Sequence, residues 1–164
     1  MKTSRWCLGL TLRFSIAVMA LVVCSSAVGA ATWQGLEPFK SRRADVLQAL
    51  GKPLSDPFGG PLTFKILGGT ASVSFVDENF VRTKKLRPEL AGTVLQIILQ
   101  HESSSDTPDS MGLLKNRDFT REEARDALIF RNLKDGIVYT FLNGKLKTTR
   151  YTFSENQIGR ARGR

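Results

Sequence analysis

The clearest pattern in the chain is a two-residue alternation over residues 62–75. Leu62, Phe64 and Ile66 alternate with Thr63 and Lys65; Ala71, Val73 and Phe75 alternate with Ser72 and Ser74. Period two places alternate side chains on opposite faces of a strand. Gly68-Gly69 between the runs predicts a two-residue hairpin turn. Pairing Leu67 with Thr70 sets Ile66 opposite Ala71, Phe64 opposite Val73 and Leu62 opposite Phe75. One face is then apolar and the other polar, and a one-residue slip would destroy the separation. Residues 93–101, TVLQIILQH, read as a third strand, with Leu95, Ile97 and Leu99 on one side and Val94 and Ile98 on the other. A second hairpin is predicted from GIVYTF and KLKTTRYTF around Leu142-Asn143-Gly144, because Asn-Gly favours the turn with two positive φ angles. Ile137, Tyr139 and Phe141 are in phase with Leu146, whereas Tyr151 and Phe153 are not; a bulge near Thr148–Arg150 restores the phase.

Helical spacing occurs twice. In SRRADVLQALGKP, 41–53, Ser41 is the expected N-cap, Val46, Leu47 and Leu50 share a face, Gly51 ends the helix and Pro53 blocks its continuation. Two to three turns are not stable alone, so this helix must dock on a sheet. In FTREEARDAL, Thr120 and Glu123 have capping-box spacing ahead of Ala124, Ala127 and Leu128, which predicts a second helix. Residues 78–92, with Pro88 and Gly92, read as a loop, and 102–110 as a polar connection. The expected fold class is α+β: an antiparallel sheet of about five strands with two short helices on one face. A helix-plus-hairpin unit would then occur twice, through ancestry or as an economical way to cover a sheet.

The N-terminus bears on domain organisation. Lys2, Arg5 and Arg13 precede an uncharged apolar run, 14–24, and small residues follow. This is the arrangement of a cleaved secretory signal, and the run is shorter than the roughly 20 residues that span a bilayer. The expected divisions are a signal peptide over 1–30, one domain over 31–155 and a disordered basic tail over 156–164. Export to the periplasm or beyond is expected. Cys24 sits in a lipobox-like LVVC, but Val23 stands where a small residue is needed, so lipid anchoring through Cys24 is not expected. Both cysteines, Cys7 and Cys24, lie in the leader, and thiol chemistry is excluded from the expected mature chain. Three of the 24 basic residues and none of the 15 acidic ones lie there too. The net charge of +9 for the whole chain thus becomes +6 for the mature one, which favours acidic partners or an anionic surface without specifying nucleic acid.

One resemblance is carried by short motifs. G-L-x-P-x-x-S-x-R-x-D-V-x-x-x-L-G-x-P from Gly35, and PELAGTVLQI over 88–97, resemble segments of small exported bacterial proteins of unknown function. More distantly they resemble the SmpA/OmlA (BamE-like) domain. The resemblance implies a helix ending in an L-G-x-P step on an antiparallel sheet, and an extracytoplasmic location. No partner-binding residue of that family matches here, so none is carried over.

Candidate chemistry is sparse. The single histidine, His101, has Glu102, Ser103 and Asp106 nearby in sequence, fewer convergent groups than a metal site or a nucleophile–base pair requires. REEARD, 121–126, reads as a solvated charged face, and the Gly-Gly steps lack the Lys-Ser/Thr of a phosphate loop. No catalytic, cofactor or metal residue is expected, and no cofactor. Two basic stretches remain: Arg82, Lys84, Lys85 and Arg87, and Lys145, Lys147 and Arg150. On one edge they would form a patch for an anionic partner, together with the Arg-rich tail; otherwise they serve solubility and edge protection. The expected function is a non-enzymatic protein-interaction module of the bacterial cell envelope, whose partner is an envelope protein. The alternative is an electrostatic binder of anionic envelope lipid or glycan. Nucleic acid is not an expected partner, and membrane association would be peripheral only.

Overall fold

Strand pairing decides the architecture. The computed structural model describes residues 30–162; Cys7, Cys24, the expected leader up to Gly29, and Gly163 and Arg164 lie outside them. The described residues form an α+β fold with seven strands: β1 Leu62–Ile66, β2 Gly69–Phe75, β3 Val94–His101, β4 Thr120–Ala124, β5 Ala127–Asn132, β6 Ile137–Leu142 and β7 Lys145–Thr152. They make one sheet in the order β1-β2-β3-β7-β6-β5-β4, every neighbour antiparallel. Three helices accompany it: α1 Arg43–Leu50, α2 Glu78–Lys84 and α3 Glu155–Ala161.

The first hairpin forms with the apolar face expected but a different register. Ile66 pairs with Gly69, Phe64 with Ala71 and Leu62 with Val73. The turn is therefore Leu67-Gly68, not Gly68-Gly69, with φ +77° at Gly68. The change is two residues, so no side chain changes face. Gly69 lies inside the ladder for a steric reason: a Cβ there would sit 1.8 Å from the Gln100 carbonyl oxygen on β3. In β3 a bulge at Leu95, opposite the Ser74/Phe75 step, puts Val94 rather than Leu95 in phase with Ile97 and Leu99. The second hairpin turns at Asn143-Gly144, φ +50° and +73°. Its bulge falls at Lys147, just before the expected 148–150, and brings Tyr151 opposite Ile137.

The expected sheet of about five strands with two helices becomes seven strands with three helices, through three local corrections. Residues 120–128 are not a helix but the β4–β5 hairpin, turning at Arg125-Asp126 with φ +51° at Arg125. A helix there would bury only two alanines and Leu128, whereas as a strand Ala127–Asn132 seats Phe130 in the core at 2 % exposure. The Thr120 hydroxyl donates to the Arg131 carbonyl at 3.3 Å instead of capping. Without that helix the helix-plus-hairpin duplication does not occur. Within the expected loop 78–92 lies α2, capped by Asp77, whose carboxylate accepts from Phe80 N at 2.6 Å; Pro88 begins a short 3-10 turn. The tail is ordered through Ala161. Ser154 and Gln157 form a reciprocal capping box (3.2 and 2.9 Å) that starts α3, and Gln157 reaches Glu37 Oε1 at 3.1 Å and the Pro38 carbonyl at 2.9 Å.

All the covering segments lie on one face or at one end. Val46 of α1 packs with Leu36 on Phe64, Val73, Val94 and Ile97. The helix starts one residue later than expected: Asp45 accepts from Arg42 N at 2.7 Å, while Ser41 Oγ accepts from Glu37 N at 3.0 Å and closes the preceding turn. Leu47, expected on the buried face, is 37 % exposed. Met111, Leu113 and Phe119 from the 102–119 connection cover Phe130, Phe141 and Leu146 on the same face. At the end where β3 starts, α2 and α3 enclose a third cluster with Phe39 stacked on Phe153, ring centroids 4.6 Å apart.

Gly69→Ala is expected to lower the unfolding free energy by about 2–3 kcal/mol or more, as overpacking against backbone that cannot yield. Gly159→Ala, with open space around the new Cβ inside α3, is expected to raise it by about 0.5–1 kcal/mol. Urea denaturation of both variants checks the contrast.

Candidate functional site

No described segment covers the opposite face, and register identifies what stands there. One row runs across all seven strands through Thr63, Ser72, Ile98, Arg150, Val138, Arg131 and Thr120. The adjacent row runs through Lys65, Thr70, Gln100, Thr148, Thr140, Ile129 and Glu122. Apart from Val138, at 7 % exposure, none of these residues is buried. Val138 belongs to none of the three core clusters. It stands between Arg150 and Arg131 as cross-strand neighbours, whose aliphatic stems suit the shielding of an apolar side chain. Half of the two rows is hydroxyl and amide side chains held by the ladder; Ile98, Ile129 and Val138 are aliphatic, the rest are charged, and Arg150 stands on the central strand. Lys65 pairs with Glu102 at 2.9 Å and Arg131 with Glu122 at 3.0 Å. Ser72, Ser74, Thr63 and Lys65 were legible as the wet side of the first hairpin; the extension across β4–β7 was not.

The seven basic candidates divide among three places. Arg82 and Lys84 lie on α2, Lys85 caps it in a left-handed conformation, φ +53°, and Arg87 follows. Arg87 N donates to the Ala161 carbonyl at 2.8 Å and Leu86 bridges Arg162, so the C-terminal ends of α2 and α3 meet. Arg160 and Arg162 thereby stand beside the 82–87 group, in a segment expected to be disordered. A groove of about 400 Å³ lies beside them, with Val81, Leu86, Pro88 and Ala91 among its walls. Lys145 and Lys147 stand at the start of β7. Because Thr148 pairs with Gln100 and Thr152 with Gln96, that start is at the opposite end of the sheet from α2. Arg150 lies on the open face between them. The single patch joining both stretches does not form.

His101 ends β3, with Nε2 3.0 Å from Thr149 Oγ1. It borders a cleft of about 670 Å³ that includes Glu102, Ser103, Asn143, Lys145 and Lys147. Burial lowers its pKa from the ordinary 6.5, and the Asp106 carboxylate opposes that in part. Asp106 is fixed in the same region, its carbonyl accepting from Leu146 N at 2.9 Å. Among the described residues no group of three or more His, Cys, Asp or Glu could hold a metal ion, and no buried side-chain polar atom lacks a hydrogen-bond partner. Nor is any described helix long and apolar enough to cross a membrane. No protein-family model matches the chain, and no curated protein or solved structure is significantly similar to it.

A depressed histidine pKa means the fold favours the neutral ring. The stabilising contribution is full above pH 6.5, the unfolded value, and is lost as pH falls through the lower folded value. Thermal melts between pH 7 and 5 are expected to show a decline in stability that His101→Gln reduces.

Proposed function

We propose that this chain is a non-enzymatic, extracytoplasmic protein-interaction module of the bacterial cell envelope that meets an envelope protein through its open sheet face. The observation that carries the reading is the pair of uncovered rows crossing all seven strands. Their Ser and Thr side chains have little rotamer entropy to lose, and the backbone beneath them is already fixed by pairing, so ordering costs on docking are low. Arg150 supplies a central anchor of the type that dominates interface energetics. The secretory pattern of the N-terminus and the motif resemblance to the SmpA/OmlA domain support the location. The second reading, an electrostatic binder of anionic lipid or glycan, is supported by Arg82, Lys84, Lys85 and Arg87 lying beside Arg160 and Arg162.

Site-specific photo-cross-linking in intact cells separates the two. A cross-linker at Thr70, Thr140 or Thr148 is expected to capture one and the same protein, with the adduct persisting at high salt, while one at Lys115 on the covered side captures none. Arg150→Glu is expected to reduce that yield about tenfold. Capture confined to the α2–α3 end and lost at high salt would overturn the sheet-face reading.

A further inference from the structure

The two edges of the sheet are not equivalent. Beyond β1 the chain covers its own edge: Thr63 N donates to the Ser55 carbonyl at 3.0 Å and Leu54 N to the Thr63 carbonyl at 2.7 Å. Beyond β4 no described strand pairs, and all five residues of β4 are exposed. The backbone groups that β4 offers outward follow from its turn. In a two-residue hairpin the residues flanking the turn exchange both hydrogen bonds, and such narrow pairs recur at every second position. Ala124, Glu122 and Thr120 therefore spend their N–H and C=O groups on Ala127, Ile129 and Arg131. Arg121 and Glu123 direct theirs away from the sheet.

We propose that β4 is a homodimerisation edge: it pairs antiparallel with β4 of a second copy of this chain, about a two-fold axis through Glu122. In this register Arg121 of one copy lies opposite Glu123 of the other, and Glu123 opposite Arg121. These are the two residues whose backbone groups point outward, so both pairs are narrow and four ladder hydrogen bonds form. On one face the side chains of the two pairs alternate in sign. Opposite charges directly across a ladder are favourable and like charges unfavourable. On the other face the two Glu122 side chains meet at the axis, each already paired with Arg131 of its own chain at 3.0 Å. Charge on an edge strand ordinarily repels any strand that approaches. Here Arg121 and Glu123 are complementary to each other about Glu122, whose own charge Arg131 pairs, so the flanking charges that reject a generic strand accept a second copy, which is how a specific interface combines attraction with exclusion. The axis is normal to the sheet, so the open faces of both copies lie on the same side and become continuous. The interface is isologous and closes at two copies, leaving β1 as the outer edge at both ends.

Sedimentation equilibrium of the purified protein across a wide concentration range tests this. The parent is expected to show a reversible monomer–dimer equilibrium. Arg121→Glu and Glu123→Arg each place like charges across both pairs and are expected to weaken the dimer at least tenfold, while R121E/E123R in one chain restores opposite charges and returns affinity to near the parent value. Glu123→Pro removes an outward N–H that the native ladder does not use and is expected to yield a monomer whose thermal midpoint stays close to the parent's. A parent that is monomeric at every concentration overturns the proposal. So does a dimer that persists in Glu123→Pro, or a double variant as weak as the single ones.

Discussion

The pairing of β3 with β7 is the constraint on which the rest of the structure depends. The sheet has an N-terminal part, β1-β2-β3, and a C-terminal part, β7-β6-β5-β4, each built from strands consecutive in the chain. Five cross-strand pairs, from Gln96↔Thr152 to Gln100↔Thr148, join them. They close a loop of about fifty residues, whose entropic cost grows only logarithmically with length, and they are backed by contacts on both sides of the junction. His101 meets Thr149 across the junction, Phe39 stacks on Phe153, and Gln157 ties α3 to Glu37 and Pro38. The N-terminal segment and the C-terminal helix therefore act as a clasp over the junction where β3 and β7 meet.

That junction also determines which face can work. Both parts contribute their apolar positions to the same side: Phe64, Ala71 and Leu99 continue through Thr149 and Tyr139 to Phe130. Helix α1 covers the first part and the 102–119 connection covers the second. No described segment is left for the reverse side, which is polar except at Ile98, Ile129 and Val138 because the alternation of faces along each strand is preserved across the junction. The bulges at Leu95 and Lys147 are what preserve it. Without the first, Val94 would leave the core; without the second, Leu146 and Tyr151 could not share a face.

Legibility in the sequence followed the density of local signals. The first hairpin's faces, strand β3, the Asn-Gly turn, the need for a bulge in β7 and the docking of residues 43–50 on a sheet could all be read from periodicity and turn chemistry. The hairpin's register could not, because Leu67-Gly68 and Gly68-Gly69 give the same faces and only the approach of Gln100 to Gly69 separates them. Thr120 and Glu123 illustrate a local signal overridden by tertiary burial: capping-box spacing is weak beside the core position of Phe130. The reverse error concerns α3. Ser154-x-x-Gln157 is the same kind of signature, and the Gly and Arg residues that follow it obscured a helix that docks through Ile158 and Ala161. The open face was half legible, since only the first hairpin displays strict alternation.

Charge illustrates the same limit from another side. A net charge of +9 suggests one cationic surface, but the fold distributes the basic residues by helix polarity and strand direction. On α2 and α3 the acidic residues Glu78 and Glu155 stand in the first turn, and Arg82, Lys84 and Arg160 in the last, the arrangement the helix dipole favours. Because the two helices meet at their C-terminal ends, what is favourable within each helix becomes a concentration of like charge between them. Lys145 and Lys147 flank Leu146 at the start of β7 and are carried to the far end of the sheet by the same ladder that buries it. Proximity in sequence, or similarity of composition, therefore says little about which charges act together. The pairing of β3 with β7 sets that, as it sets which face of the sheet is open.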